Sequence, residues 1–406
     1  MGIKKPIIIN IIGIMATFLL VVSSNIANSQ QYYSLFDVTN NGTILPNDDI
    51  TQSLLKGWRD ACSSSSPSKV VVPKGIFKLS NASLQGPCKA PIEFNLQGIL
   101  QAPPVDKNFK GGDTWIAFEY IDYLTVSGGG IFDGQGKNTW GKKCDEDEYC
   151  KDLPINVRFN FVTNSLVQEV TSLDSKQFHV NVLGCQNLTF QHVKIIAAED
   201  SPNTDGIHIG RSSDVKVLDS HIETGDDCVS VGEGSNQITI SKVTCGPGHG
   251  ISIGSLGKYP NEEPVSGVTV KNCVLKNTQN GVRIKTWPHS HEGRATDLHF
   301  EDIIMDGVGN PVLIDQEYCP WNQCDSKLPS RVQISGVSFK NIRGSSSTAM
   351  AVKLVCSSGL PCQNVEMQDI DLKYSGAEGP ISSECKNVQP TVSGIQNPPA
   401  CVSTSP

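Results

Sequence analysis

Short runs that alternate apolar and polar residues recur along most of the chain, as expected of β-strands with their side-chain period of two. Runs of one family begin at Leu188, Val215, Ile238, Val268, Leu298, Val332 and Val365. Their starts lie 27, 23, 30, 30, 34 and 33 residues apart. Strands repeated at this spacing and separated by Gly and Asn turns predict a right-handed parallel β-helix, an all-β solenoid.

A second family of strands interleaves with the first and begins at Gly206, Cys228, Gly250 and Gly281. If these strands stack in parallel, successive ranks lie about 4.8 Å apart, and equal positions form columns along the axis. The alignment places Asp205, Asp227 and His249 at one rank, each directly before its strand. It also places Arg283 in the outward column of His208. The sequence therefore predicts that chemically active side chains meet on one patch.

Two other repeat architectures fit the sequence less well. A leucine-rich repeat would show Leu in a fixed frame with a helical half, and no such frame recurs here. A propeller would need about 40 residues per blade and antiparallel hairpins. The β-helix is the favoured architecture.

The N-terminal part of the chain predicts one helix. Residues 49–63 carry apolar side chains at helical spacing, with Asp48 or Asp49 as the N-cap. These apolar positions are Ile50, Leu54, Leu55, Trp58 and Cys62. We expect this short helix to cap the open end of the solenoid, where the terminal coil would otherwise expose its apolar interior.

The first residues have the pattern of a secretory signal peptide. Lys4 and Lys5 precede the apolar stretch 6–22, and small residues follow. A membrane anchor is the alternative, but a polar Asn interrupts the stretch, which is shorter than the roughly 20 residues that a span needs. We expect residues 1–29 to be a signal peptide and residues 30–406 to form one secreted, extracellular domain that has no contact with the membrane.

The net charge and the sequons indicate which kinds of partner and modification to expect. The formal net charge is -8, which argues against a nucleic-acid partner. An acidic protein also repels an acidic polymer, so such a substrate would need a locally basic cleft. Three sequons, at Asn41, Asn81 and Asn187, are candidate glycan acceptors in a secreted chain.

The chain has 14 cysteines, an even number that predicts disulfides in an oxidising compartment. Candidate short loops are Cys144/Cys150, Cys319/Cys324, Cys356/Cys362 and Cys385/Cys401. Cys228 and Cys245 fall on neighbouring repeats, where a disulfide would brace the polar patch. No Cys-x-x-Cys pair accompanies a His pair, so we expect no metal site.

Four short strings carry the candidate chemistry: NTDG at 203–206, GDDC at 225–228, GHG at 248–250 and RIK at 283–285. Together they place three acids, a histidine and two cations on one patch. Glycoside hydrolysis needs a protonated carboxyl for the leaving oxygen and a carboxylate that activates water. Clustered acids favour this division, because like charges keep one of them protonated. The two cations suit the carboxylate of an acidic sugar.

In this order and on this repeat, the four strings resemble the signature of the polygalacturonases, glycoside hydrolase family 28. The resemblance runs from about Phe36 to Cys385 and implies the same β-helix and hydrolysis of α-1,4 links in pectate. It implies inversion of configuration without a metal or cofactor, with Asp226 as general acid. A step of about 5 Å between coils is, however, shorter than the roughly 6.5–9.5 Å expected between inverting carboxyls.

The resemblance also implies roles for the other site residues. Asp205 and Asp227 act together as the base, and His249 hydrogen-bonds to the acid. A second set would bind the galacturonate chain or line its cleft: Arg283, Lys285, Asn203 and Tyr318.

Segment 316–324 most resembles the pollen-type, exo-acting plant members of the family. A disulfide-closed loop with Pro320 and Trp321 could block one end of the cleft, so exo action is favoured over endo action. Two further hypotheses are a calcium-dependent pectate lyase, which would use an Arg or Lys base, and a pectin-binding solenoid without turnover. We expect a monomer whose partner is pectic polysaccharide in the cell wall.

Overall fold

The computed structural model describes Gly2 and residues 33–39, 44–105, 112–140, 153–320, 324–325 and 327–401. The predicted signal peptide apart from Gly2, the sequon at Asn41 and the Cys144/Cys150 pair lie outside the described residues. The described residues from Tyr33 onward belong to one compact unit. None of the described helices is long and apolar enough to cross a membrane.

The described residues form strands, one α-helix and a short 3₁₀ helix at Gly136–Asn138. The first elements are β1 (Ser34–Asp37), α1 (Thr51–Cys62), β2 (Ser68–Val72), β3 (Ile76–Lys78), β4 (Ala82–Gln85), β5 (Ile92–Leu96), β6 (Ile99–Gln101), β7 (Thr114–Glu119), β8 (Leu124–Ser127) and β9 (Ile131–Asp133). The next are β10 (Ile155–Asn160), β11 (Thr163–Gln168), β12 (Thr171–Leu173), β13 (Val180–Leu183), β14 (Gln186–Gln191), β15 (Lys194–Ile196), β16 (Ile207–Gly210), β17 (Ser213–Leu218), β18 (His221–Glu223), β19 (Val229–Val231) and β20 (Asn236–Ser241). The last are β21 (Thr244–Cys245), β22 (Ile251–Leu256), β23 (Val265–Lys271), β24 (Val274–Lys276), β25 (Asn280–Thr286), β26 (Gly293–Val308), β27 (Asn310–Asp315), β28 (Val332–Ser346), β29 (Met350–Val355), β30 (Gln363–Lys373), β31 (Ser382–Lys386) and β32 (Thr391–Asn397).

All of these strands pair in parallel and wind as a β-helix. From β4 to β25 every third strand, and after β25 every second strand, joins an eleven-stranded sheet in the order β4-β7-β10-β13-β16-β19-β22-β25-β27-β29-β31. The remaining strands form two ladders, which merge in the long strands β26, β28 and β30 to give a 21-stranded sheet. A typical coil is β14, β15 and β16, followed one step along the axis by β17, β18 and β19. The predicted solenoid is present.

The interior consists of columns of like side chains. In the eleven-stranded sheet, Ile207, Val229, Ile251 and Val282 lie in register on successive coils, and all are fully buried. Aromatic residues stack in the same way in the other ladder, as Phe300 over Phe339 with ring centroids 5.2 Å apart. These columns remove apolar surface from water and fix the coil-to-coil register, so the turns between strands are held at defined heights.

Helix α1 begins at Thr51 and packs on β1, β2 and β4. Leu54 and Trp58 are buried in the solenoid interior, as the predicted capping role requires. The N-cap position is Ile50, which has no capping side chain. Asp49, one residue earlier, accepts a hydrogen bond from the Thr51 N–H at 2.8 Å. The predicted aspartate therefore satisfies one free amide of the first turn from outside the N-cap position.

Four of the predicted cysteine pairs are disulfides: Cys228–Cys245, Cys319–Cys324, Cys356–Cys362 and Cys385–Cys401. A fifth disulfide, Cys62–Cys88, joins the end of α1 to the loop after β4 and was not among the predicted pairs. Cys185 and Cys273 are free thiols buried in the core, so the even count does not mean that every cysteine is bridged. Asn81 and Asn187 are exposed, as glycan acceptors must be, and their occupancy stays a prediction.

Candidate active site

Strand pairing sets the polar residues of the turns at matching heights. Strand β16 pairs with β19 and β19 with β22, in a register that aligns Ile207, Val229 and Ile251. Asp205 and Asp227 precede two of these aligned residues by the same two positions, and His249 precedes the third in the same way. Their shared rank follows from the register alone, and Asp226 lies beside Asp227 on the middle coil.

Asp227 is a fully buried carboxylate that is neutralised by two cations. Arg283 Nη2 donates to its Oδ1 at 2.8 Å, and Lys285 Nζ donates to its Oδ2 at 2.6 Å. Ser252 Oγ adds a third hydrogen bond, to Oδ1, at 2.7 Å. Burial alone would raise the pKa of Asp227, but the charges of Lys285 and Arg283 outweigh it and lower that pKa to about 2. Asp227 is therefore ionised throughout the mildly acidic range.

Asp205 has the opposite electrostatic environment. It is buried, and the only described hydrogen bond to its carboxyl comes from Ser230 Oγ, which donates to Oδ2 at 2.9 Å. Burial, followed by the charges of Asp226 and Asp227, raises the pKa of Asp205 well above its ordinary value. Two carboxyls on neighbouring coils thus differ widely in proton affinity because only one of them contacts cations.

Asp226 and His249 form the more open part of the cluster. His249 Nδ1 lies 3.0 Å from Asp226 Oδ1, and the Asp227 N–H also donates to this oxygen at 2.8 Å. The His249 N–H donates to the Asp226 backbone carbonyl at 2.8 Å, which fixes the two residues to each other. No hydrogen bond from the described residues reaches Asp226 Oδ2, so this oxygen is available to carry a transferable proton.

One atom each of Asp226, Asp227 and His249 could contact a metal ion, since these atoms lie within 4.8 Å of one another. The hydrogen bonds argue against such a site. Both oxygens of Asp227 already accept from cationic side chains, and a bound cation would have to displace them or lie beside their positive charge. This donor set suits proton transfer better than metal binding.

Two serines of the outward column, Ser230 and Ser252, belong to the site although sequence reasoning assigned them no role. His208, Ser230, Ser252 and Arg283 lie in register on four coils. Ser230 donates its only hydroxyl proton to Asp205, so it must accept from His208 Nδ1–H, 2.7 Å away. Ser252 likewise accepts from Arg283 Nε at 3.0 Å and donates to Asp227. The shared column was the signal that could have identified them.

Arg283 and Lys285 were predicted to bind a substrate carboxylate. In the structure each is only 7% exposed, and the charge of each is directed at Asp227. The ring of Tyr318 covers both cations, with its centroid 5.7 Å from the Arg283 guanidinium carbon and 5.1 Å from Lys285 Nζ. Such distances fit cation–π contacts. Tyr318 thus lies at the site, as predicted, and the cations already have one partner before any substrate binds.

Asn203 lies further out than the other predicted residues. It is exposed, and its φ of 54° places it in the left-handed region that turn asparagines tolerate. This geometry fits the turn role and leaves the side chain accessible to a ligand. Of the predicted end-blocking loop, Pro320 is described, whereas Trp321 lies outside the described residues.

Residues 62–397 match the glycosyl hydrolases family 28. The chain belongs to this family. It is 56% identical over 355 residues to an exopolygalacturonase of Oenothera organensis, a match that covers 87% of this chain and 98% of the relative. It is 52% identical over 354 residues to a polygalacturonase of Gossypium hirsutum, covering 87% and 86% of the two chains.

Solved structures support the fold of this family 28 chain. An exopolygalacturonase from Thermotoga maritima superimposes with a TM-score of 0.72 over 89% of this chain and 91% of its own, at 19% identity. At that identity the likeness is evidence for the fold alone, and it confirms the predicted right-handed parallel β-helix.

The family 28 site contains three carboxyls and two buried cations. If every carboxyl were ionised, the five groups would carry a net charge of -1 in a buried setting, which disfavours full ionisation. One proton bound within the cluster would make it neutral. A cluster of carboxyls that holds one proton contains both an acid and a base.

Proposed function

We propose that the protein is a secreted hydrolase that cleaves α-1,4-galacturonosidic bonds of pectate from a chain end. Family membership and relatives named exopolygalacturonase and polygalacturonase support the reaction class. The observation that carries the proposal is the unequal environment of two neighbouring carboxyls: Arg283 and Lys285 lower the pKa of Asp227, whereas burial raises the pKa of Asp205. Such a cluster has the acid and the base that glycoside hydrolysis requires.

Asp226 is the general acid in this proposal. Its Oδ1 is held by His249 and by the Asp227 amide, which leaves Oδ2, an oxygen with no hydrogen bond from the described residues, to carry the transferred proton. As the glycosidic bond breaks, Oδ2 gives this proton to the leaving oxygen and the carboxylate remains bound to His249. His249 acts by fixing the orientation of the acid and by stabilising the anion left behind.

Asp205 is the principal proton acceptor, and Asp227 stays ionised beside it without taking the proton of the nucleophilic water. A carboxylate whose pKa is about 2 is a weak base, whereas the raised pKa of Asp205 makes it a stronger one. Water attacks the anomeric carbon, its proton passes to Asp205, and the bond to the leaving oxygen breaks with inversion. The family resemblance implied that Asp205 and Asp227 act together as the base; in this proposal Asp227 stays ionised and Asp205 accepts the proton.

The spacing within the cluster bears on stereochemistry. Individual oxygens of Asp226 and Asp227 lie within 4.8 Å, closer than the roughly 6.5–9.5 Å typical of the carboxyl pair in an inverting enzyme. The choice of Asp205, on the preceding coil, as the proton acceptor that works with the acid Asp226 therefore rests on its raised pKa and not on the spacing. The NMR spectrum of the first products tests inversion directly, since the α-linkage would release the β-anomer first.

A pectate lyase is less compatible with the site. Lyase chemistry needs an Arg or Lys side chain that is free to remove a proton, and the two cations of the site are both ion-paired with Asp227. Full activity in the presence of a calcium chelator, with no unsaturated product, would exclude lyase action.

The test of the proposed function is hydrolysis of polygalacturonate in mildly acidic buffer, with reducing ends and viscosity followed together. Monomer release with nearly unchanged viscosity is the result expected of exo action. A rapid fall in viscosity would instead indicate an endo enzyme with an open cleft. Binding of pectate without any new reducing ends would overturn the enzyme proposal in favour of a pectin-binding solenoid.

A further inference from the structure

One cation at the rim of the site has no role in the reaction proposed above. Lys258 Nζ lies 5.1 Å from the ring centroid of Trp287 and 5.4 Å from that of Tyr259. Both distances are within the roughly 6 Å range of cation–π contacts. Lys258 and Tyr259 are exposed, while Trp287 is half-buried. An ammonium group is thus held between two aromatic rings at the surface.

This cation is connected to the active site through aromatic rings. Trp287 follows β25 directly and lies two residues beyond Lys285, so it points to the same side of the sheet. The Trp287 ring meets the Tyr318 ring edge to face, with centroids 5.6 Å apart and an interplanar angle of 78°. Tyr318 in turn covers Lys285. The cations Lys258 and Lys285 are therefore separated by two packed rings.

The loop that carries Lys258 is ordered by a carboxylate that does not neutralise it. Glu262 accepts hydrogen bonds from the Gly257 N–H at 2.6 Å and from the Tyr259 N–H at 2.9 Å. Within the part of the chain that the structure describes, no acidic residue forms an ion pair with Lys258. Lys285 differs, because its charge is taken up by Asp227. Lys258 can therefore offer its charge to a ligand.

We propose that Lys258 and Trp287 form an additional galacturonate-binding subsite, next to the sugar unit bound at the active site. The ammonium group would pair with the carboxylate of the neighbouring unit, and the indole face would pack on its apolar ring surface. Lys258 lies two residues after β22 and Lys285 lies in the neighbouring strand β25, so the two cations come from adjacent coils. This inference rests on the proposed function.

The subsite contributes binding energy but touches no reacting atom. Its loss should therefore raise KM and leave kcat unchanged, and only for oligomers long enough to reach it. An oligomer that is methyl-esterified at the unit in this subsite would lose the ion pair with Lys258. Wild type should therefore bind this ester as weakly as a variant without the Lys258 charge binds the unmodified oligomer.

The test compares Lys258→Met with Lys276→Met on galacturonate oligomers of two to six units. Lys276 is an exposed lysine of β24, in the other sheet, and serves as the matched control. We expect Lys258→Met to raise KM about tenfold on the longer oligomers and not on the shortest cleaved one, as for the loss of one charge-assisted contact. Trp287→Leu should show the same length dependence, and Lys276→Met should match wild type.

A direct binding measurement separates this inference from the proposed function. In the Asp226→Asn background, Lys258→Met should weaken binding of a long oligomer about tenfold and should abolish the difference between free and methyl-esterified oligomers. The subsite would be overturned if Lys258→Met and wild type had equal KM values and equal binding at every oligomer length. Cleavage by wild type would in that case still uphold the proposed function. If wild type cleaves no oligomer, the proposed function fails and the subsite with it.

Discussion

Two serines in one column stabilise two carboxylates with very different proton affinities. Ser230 donates to Asp205 and Ser252 to Asp227, each from the coil that follows its aspartate. What separates the two carboxyls is that Asp227 also contacts Lys285 and Arg283 directly, whereas the group behind Ser230 at Asp205 is a half-buried histidine. Burial, then the charge of Lys285, lowers the pKa of His208 to about 4, so this ring is neutral in the working range and adds no positive charge near Asp205.

The pH dependence of the rate follows from the raised pKa of Asp205. The base must be ionised, so kcat/KM should fall as the pH drops through a value above the ordinary 3.8. The hydrogen bond from Ser230 favours the ionised form, so Ser230→Ala should move this acidic limb to higher pH. The pH profile of kcat/KM on polygalacturonate measures the shift.

Ser252→Ala is the matched control for that experiment. It removes a hydroxyl of the same column but acts on Asp227, which stays ionised because Lys285 and Arg283 remain. We expect its rate to drop at every pH, whereas the acidic limb of its pH profile should stay at the wild-type position. Equal shifts of the limb in both serine variants would contradict the assignment of Asp205 as proton acceptor.

At the scale of strands and turns, the sequence was informative wherever apolar and polar residues alternate with the two-residue period of a β-strand. Alternation predicted the strands, and aligning the strands placed Asp205, Asp227 and His249 at one height, because parallel pairing permits few registers that keep Ile207 and Val229 inside. The partners of side chains were harder to predict. Arg283 contacts a carboxylate 56 positions earlier in the chain, and no local pattern specifies which of three acids it will meet.

The unpredicted disulfide has a similar explanation. Cys62 and Cys88 are separated by 26 positions, and their proximity depends on how α1 packs on the first coil. The buried thiols of Cys185 and Cys273 occupy core positions like other small apolar side chains, which composition cannot distinguish from bridged cysteines.

The capping helix should contribute to stability and not to catalysis. Trp58 is buried, packs edge-on against Phe118 and donates from Nε1 to the Gln85 carbonyl at 3.0 Å. Trp58→Ala should lower the free energy of unfolding by about 3–5 kcal/mol, as for other large buried residues, with kcat unchanged at a temperature where the variant is folded. Denaturant unfolding measures the loss. Leu55→Ala, at a half-buried position of the same helix, should cost less; an equal or greater cost would contradict the packing described.

The disulfide beside the site should affect both stability and rate. Cys228 follows Asp227 directly and is bridged to Cys245, 17 positions away on the next coil. Replacing both by Ala should destabilise the fold by about 3 kcal/mol and lower kcat, because the turn that carries two of the acids is no longer held. Thermal unfolding and steady-state kinetics measure the two effects.

The Cys385–Cys401 disulfide is the control, because it closes a loop of similar length, 16 positions, from the last strand of the eleven-stranded sheet. Its removal should cost similar stability and leave kcat near the wild-type value at a permissive temperature. An equal loss of kcat in both double variants would mean that the bridge at the site has no special role in positioning the acids.

In the molecule as a whole, the residues that stabilise the fold differ from those that carry the chemistry. Buried columns of apolar side chains hold the coils together, and the turns contribute few residues to this core, so they can carry charged side chains. Five successive coils each supply part of the site: Asp205, the pair Asp226 and Asp227, His249, the pair Arg283 and Lys285, and Tyr318. The net charge of -8 would repel pectate at long range, and the site cations are already paired with Asp227, so an exposed cation such as Lys258 would give the polymer a local point of attraction.

The most direct test of this account assigns the proton donor and acceptor separately. Wild type, Asp226→Asn and Asp205→Asn would be compared on polygalacturonate and on an aryl galacturonide whose leaving group departs without a proton. We expect Asp226→Asn to lose about 10²–10⁴-fold in kcat on the polymer and to stay near wild type on the aryl substrate, while Asp205→Asn loses activity on both. If Asp226→Asn lost as much on the aryl substrate as on the polymer, Asp226 would not be the acid and the proposed mechanism would be wrong.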